Sequence, residues 1–309
     1  MPAEGPLVIA VVGPTASGKS ELALRVAETV GGEVVSADAM QLYRGMDIGT
    51  AKLPFAERRG IPHHQIDVLD VTDEATIAAY QVDARRSIDD IRSRGLHPVV
   101  AGGSGLYVRA ALDHLEIPPT DPEVRGRLEA EAEERGPEPL FAALSERDPV
   151  AAQSIGRHNV RRVIRALEVV EITGRPFSAS MPERRNLLPT VMVGLRPPRD
   201  LLDVRIDSRV EQMWRDGLVD EVRSLVPHGI RRGRTASRAL GYAQALAQVD
   251  GTMTRERAVA DTAQATRRYA RRQESWFRPD PRISWVDPTV DGALDDAVHE
   301  LRRAVAENG

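Results

Sequence analysis

Apolar residues in this chain cluster in two kinds of pattern. Residues 7–12 form an unbroken, β-branched apolar run, which predicts a strand buried on both faces of a parallel sheet. Residues 21–27 then space their apolar side chains as a helix does. A short strand ends near Ser36, and residues 75–94 are helical, with Asp89, Asp90, Arg92 and Arg94 as a solvated face and Gly95 as the stop. His63 and His64 read as polar residues leading into a strand, since neighbours on a strand point to opposite faces and cannot share a metal. Residues 98–101 and 191–195 are again strand-like. Between those two strands, after the hinge-like Pro118-Pro119-Thr120-Asp121-Pro122, residues 123–135, 140–147 and 159–173 are helical with no intervening strand. From Asp200 the chain reads as mainly helical, with a helix over 254–278 and a last one over 291–308. The pattern predicts an α/β fold: a parallel sheet flanked by helices over residues 1–117 plus 190–309, and an all-helical insertion domain over 118–189.

Composition narrows the class. At 309 residues with a net charge of −4, the chain is an ordinary globular sequence of about two domains, and any nucleic-acid surface must be local. The absence of cysteine excludes disulfides, thiolate zinc sites and cysteine nucleophiles, and fits a cytoplasmic protein. Residues 1–4 carry no basic leader, and no apolar stretch reaches membrane-spanning length. Of the 42 basic residues, only Lys19 and Lys52 are lysine.

Lys19 lies in the most informative stretch, Gly13-Pro14-Thr15-Ala16-Ser17-Gly18-Lys19-Ser20, a complete G-x-x-x-x-G-K-[ST] between a predicted strand and a predicted helix. Glycines let successive N–H groups turn inward at a helix N-terminus, Lys19 supplies charge to outer phosphates, and Ser20 offers a hydroxyl to Mg²⁺. The fold expected is therefore P-loop NTPase-like. Asp38 follows the second strand, at the sheet edge that faces the ligand crevice, where it is either a ligand-facing carboxylate or a helix cap. Residues 102–107, Gly-Gly-Ser-Gly-Leu-Tyr, repeat the strand–turn–helix theme and put Ser104 beside the first crevice, or form merely a tight turn. The predicted strand over 98–101 ends in Gly102-Gly103 and lacks the metal-binding Asp expected of a nucleotide hydrolase.

Arginines gather in three places: Arg157, Arg161, Arg162 and Arg165; five between residues 222 and 249; and seven in 254–278, interleaved with Tyr269, Trp276 and Phe277. One such helix alone reads rather as a solvated helix with core aromatics, but arginine with aromatics suits phosphate backbone and unstacked bases, and three separate clusters in a net-acidic chain favour that reading.

Residues 13–20, 36–52, 102–107, 121–125, 165–169, 241–242 and 271–278 resemble, in order, the motifs of the bacterial tRNA dimethylallyltransferases (tRNA isopentenyltransferases). The resemblance implies transfer of the dimethylallyl group from dimethylallyl diphosphate to N6 of the adenine at position 37, next to the anticodon, with Mg²⁺ as cofactor and the tRNA anticodon stem-loop as partner. It implies Asp38 as general base, Lys19 and Ser104 in the reacting centre, and residues 13–20 as the diphosphate cradle. RNA contacts are implied for Asp38, Ala39, Met40, Gln41, Ser104, Arg125, Arg161, Arg162, Val163, Ile164, Arg165, Arg238, Gly241, Tyr242, Arg271, Arg272, Gln273, Trp276 and Arg278. Ala39 departs from the serine common in relatives. All motifs lie on one chain, so a monomer suffices. A P-loop kinase and a non-catalytic RNA-binding switch are the rival readings, and the kinase leaves the arginine clusters unexplained.

Overall fold

A computed structural model describes residues 5–180 and 184–308; residues 1–4, read above for a basic leader, lie outside them. The chain divides into two compact units, residues 1–112 with 186–309, and residues 113–185. The larger contains β1 (Val8–Val12), α1 (Lys19–Val30), β2 (Gly32–Ser36), β3 (His63–His64), α2 (Ile77–Ser93), β4 (His97–Gly102) and α3 (Gly105–Leu112). The smaller follows with α4 (Pro122–Arg135), α5 (Glu138–Arg147), α6 (Pro149–Ile155) and α7 (Val160–Thr173). The chain then returns through β5 (Thr190–Leu195), α8 (Arg199–Arg215), α9 (Leu218–Leu225), α10 (Tyr242–Val249), α11 (Arg255–Phe277), β6 (Ile283–Val286) and α12 (Ala293–Asn308).

The sheet is parallel throughout, in the order β3-β2-β4-β1-β5-β6. β1 is central and wholly buried because it pairs on both edges, which accounts for its continuous apolar run. Ile9 and Val11 pack with Leu22, Ala23 and Val26 of α1 and with Ala297 and Leu301 of α12. A second core joins α8–α11 to Tyr43 and Met46 of the loop after β2. Strand order reverses around β1, so the ligand crevice forms at the C-terminal ends of β1, β2 and β4.

Several expectations need correction. His63 and His64 are themselves the edge strand β3, and the His64 ring bonds the Glu33 carboxylate at 2.7 Å. Arg94 also grips Glu33, and Arg92 donates to the Pro6 carbonyl, so neither is a purely solvated charge. The stretch after Asp38 is no bare surface loop. Lys52 is buried there, donating to the Tyr43 carbonyl, Asp47 and Asp67. β6 was hidden in a region that reads as helical, and it extends the sheet beyond β5.

Among the described residues of the smaller unit the α-helices are four: α6 is an addition, started by Asp148, whose carboxylate accepts from the Ala151 N–H. Arg157 precedes α7 and does not ride on it. The proline-rich stretch ends in Asp121, which caps α4 with Pro122 in the first turn. Sequence placed the insertion at 118–189, whereas the compact unit runs from 113 to 185. The shift follows from pairing of the two chain passages: His114 N–H donates to Arg185, while Leu187 N–H donates to Leu112 in the larger unit.

Candidate active site

The loop from Gly13 to Ser20 joins β1 to α1 in the geometry its sequence demands. Gly13 has φ 140° and a Cβ there would fall 2.6 Å from the Leu195 carbonyl oxygen, while Gly18 has φ 96° immediately before α1. Ala16, with φ 62°, is left-handed without being glycine, a strain of order 1 kcal/mol. The strain is held at the preceding residue. The Thr15 N–H donates to Gln273 Oε1 at 2.9 Å, and its Oγ1 accepts from Arg209 at 3.3 Å.

Two further turns close the crevice. At the end of β2, the Tyr80 hydroxyl donates to the Ser36 carbonyl at 2.9 Å, and Ala37 N–H donates to Ala101. Asp38 follows, its Oδ1 accepting from Met40 N–H at 2.9 Å. One carboxylate oxygen thus caps the turn; Oδ2 has no hydrogen bond among the described residues. At the end of β4, Gly102 abuts the β2 end, where a Cβ would lie 2.3 Å from the Ala37 oxygen. Ser104, partly buried, stands 3.4 Å from the Tyr269 hydroxyl.

Thr15, Lys19, Ser20, Asp38, Gly103 and Arg209 line one cavity. Lys19 Nζ donates to the Pro14 carbonyl at 2.6 Å. Enclosure, aided by the positive Arg209, lowers the Lys19 ammonium pKa to about 7; Asp38 opposes the shift. Arg209 is likewise lowered by burial and supported by Asp38. Two cations gathered at a glycine loop, their charges costly in the unliganded state, make an anion site. Asp38 is the one carboxylate among the described residues that line the cavity, and its charge acts on both cations. Sequence reading missed Arg209: it comes from α8, and nothing in its neighbourhood marks it among the arginines.

The expected RNA residues sort by exposure. Arg161, Arg162, Arg238, Arg271, Arg272, Trp276 and Arg278 are exposed, and Arg272 lies 5.7 Å over the Tyr269 ring. Ala39, Met40 and Gln41 are half-buried, and Gln41 is held by Ser36 and Thr50. Four others are buried. Val163 and Ile164 belong to the core of the smaller unit. Gly241 and Tyr242 are buried, with the Tyr242 hydroxyl donating to Glu221, which in turn accepts the Asp47 and Ile48 N–H groups. The Val163, Ile164 and Tyr242 side chains are closed to a ligand. Arg125 and Arg165 both grip Glu168, which is 0 % exposed, so their first task is internal. Gln273 is buried against the phosphate loop.

The family model described as "IPP transferase" matches residues 41–280, and that described as "Isopentenyl transferase" matches residues 6–74. The chain is 60 % identical over 292 residues to the tRNA dimethylallyltransferase of Kineococcus radiotolerans, covering 93 % of this chain and 92 % of that one. It is 57 % identical over 281 residues to the enzyme of the same name from Streptomyces avermitilis, covering 91 % and 90 %. Among solved structures, the tRNA isopentenylpyrophosphate transferase of Bacillus halodurans is similar with a TM-score of 0.72 at 39 % identity, covering 98 % of this chain and 96 % of that one. A eukaryotic dimethylallyltransferase captured acting on tRNA is similar with a TM-score of 0.81 at 27 % identity, covering 97 % and 78 %. With a P-loop NTPase-like core, an inserted helical unit and a family model spanning most of its length, the chain belongs to the IPP transferase family, alongside the tRNA dimethylallyltransferases.

Proposed function

We propose that this protein transfers the dimethylallyl group of dimethylallyl diphosphate to N6 of the adenine at tRNA position 37, 3′ of the anticodon, releasing diphosphate. The observation that carries the reading is the shared cavity. The phosphate loop, Lys19 and Arg209 form an anion cradle, and Asp38 lines the same cavity. Membership of the family supports it.

The donor's diphosphate rests on the loop N–H groups, Lys19 and Arg209. As the bond between C1 of the dimethylallyl group and the diphosphate oxygen breaks, negative charge grows on that oxygen, and the two cations stabilise it. Diphosphate also restores the proton that enclosure makes Lys19 prone to lose. The adenine amine is a weak nucleophile because its lone pair is delocalised into the ring. N6 forms the new bond to C1 and gives up one proton, and Asp38 Oδ2 is the acceptor assigned here. Ser104, at the facing turn, orients the incoming base, which must leave its stack to enter. For Mg²⁺, the exposed Ser20 hydroxyl together with phosphate oxygens and water is a suitable donor set, since this ion favours partial hydration over an all-protein cage. When bound, it would neutralise diphosphate charge.

RNA recognition falls to the exposed arginines of α11, Arg238 and the exposed Arg161 and Arg162. No helix among the described residues is long and apolar enough to cross a membrane. We place the reaction in the cytoplasm on a single protomer, because one chain carries every residue invoked.

The test is transfer of label. Incubation of the protein with labelled dimethylallyl diphosphate, Mg²⁺ and an unmodified tRNA transcript is expected to move label into RNA at the adenine 3′ of the anticodon. Label that stays with the donor while ATP is consumed would contradict the proposal and favour a kinase.

A further inference from the structure

The helix that carries the exposed arginines also docks onto the active-site turn. Tyr269, Gln273 and Trp276 stand at i, i+4 and i+7 of α11 and so share one face. Each meets the Gly103-Ser104-Gly105 turn. Tyr269 approaches Ser104, and Gln273 Nε2 donates to the Gly103 carbonyl at 2.9 Å. The Trp276 indole fills the place of a side chain at Gly105, where a Cβ would fall 1.5 Å from its Cδ1. A Cβ on Gly103 would likewise lie 2.2 Å from Gln273 Nε2. The two glycines are slots for this helix. Gln273 reaches further than its neighbours. It is 5 % exposed, and its Oε1 accepts the Thr15 N–H at 2.9 Å, so one amide spans the second glycine turn and the phosphate loop.

From these contacts we infer that Gln273 is a positioning residue for the diphosphate cradle and not an RNA ligand. By fixing the Thr15 N–H it keeps the adjoining Ala16 in its left-handed conformation, and so holds the loop ready before the anion arrives. Without the amide, Thr15 retains only its Arg209 contact, and the loop must be ordered at the expense of binding. The RNA-facing arginines of α11 keep their scaffold, because Ala270 and Phe277 remain packed and Tyr269 and Trp276 keep their slots. The inference rests on the assignment of the cradle to diphosphate.

Two variants test it, Gln273→Met, which keeps length and loses both hydrogen bonds, and Gln273→Glu, which keeps an acceptor for Thr15 but sets a carboxylate against the Gly103 oxygen. Affinities are measured for inorganic pyrophosphate with Mg²⁺ by calorimetry and for an anticodon stem-loop RNA by fluorescence anisotropy. For both variants pyrophosphate affinity is expected to fall about tenfold, with RNA affinity within about twofold of the parent. In turnover, KM for the prenyl donor rises and KM for RNA holds. Retained RNA binding also reports that the variant is folded; if Gln273→Met does not fold, the same readouts on Gln273→Glu decide. Loss of RNA affinity alone, equal loss of both, or loss of neither overturns the inference. A parent protein that binds no pyrophosphate would strike the proposed function instead.

Discussion

Lys19 shows how much chemistry one enclosed side chain contributes. Its pKa in the unliganded protein is about 7, against an ordinary value of 10.5. Between those values an unfolded chain holds a proton here that the folded, unliganded chain lacks. At this group, folding is therefore favoured increasingly as pH rises through that window, and below about 7 the fold carries the cost of an enclosed ammonium. A bound anion reverses the shift. Calorimetry of Mg²⁺-saturated pyrophosphate binding, repeated in buffers of different ionisation enthalpy, is expected to show uptake of about one proton at pH 8.5, dwindling toward pH 6. Uptake independent of pH would mean that Lys19 is not the group that charges. Lys19 and Asp38 were legible in the sequence because a glycine loop and a strand end announce them locally. Arg209 was not, since it bonds a residue 194 positions away and is one more arginine in a chain that uses arginine almost everywhere.

At the scale of elements, the smaller unit is organised by a buried carboxylate. Glu168 of α7 accepts from the Asp121 N–H at the head of α4 and pairs with Arg125 and Arg165, and Arg165 also donates to the Pro118 and Pro119 carbonyls. Burial raises the Glu168 pKa, but the two guanidinium groups and the N–H outweigh it and hold the carboxyl below its ordinary range. Glu168→Ala leaves both arginines without their shared partner. Because these are partly exposed, the expected loss is about 2 kcal/mol, at the lower side of broken buried pairs, read as a lower urea midpoint for this unit. An unchanged midpoint would make the cluster incidental. Helices with clear periods, such as α2, α7 and α11, were readable to within a few residues. α6 was not, at seven residues with a Pro start, and β6 was not, because Ser284 and Trp285 interrupt a strand that only its pairing with β5 creates.

Over the whole molecule, the net charge of −4 conceals a division of labour among arginines. Some are spent on buried or half-buried carboxylates, as at Glu168 and Asp203; others stay exposed. Only the second group should release counterions from RNA. Arg162→Ala and Arg272→Ala are expected to flatten the slope of log K against log salt by about 0.7 to 0.9 each, whereas Arg165→Ala changes it little. Equal slopes for all three would remove the distinction between structural and RNA-facing arginines.

The proposed prenyl transfer to an adenine rests on an anion cradle and a carboxylate in one cavity. It is tested most directly at Asp38, in a single-turnover measurement with saturating prenyl donor and tRNA. Asp38→Asn keeps an oxygen to accept the Met40 N–H but removes the base. The expected transfer rate is at least about a hundredfold lower, with pyrophosphate and RNA affinities within about twofold of the parent. A transfer rate equal to the parent's, or a loss matched by equal loss of binding, would contradict it.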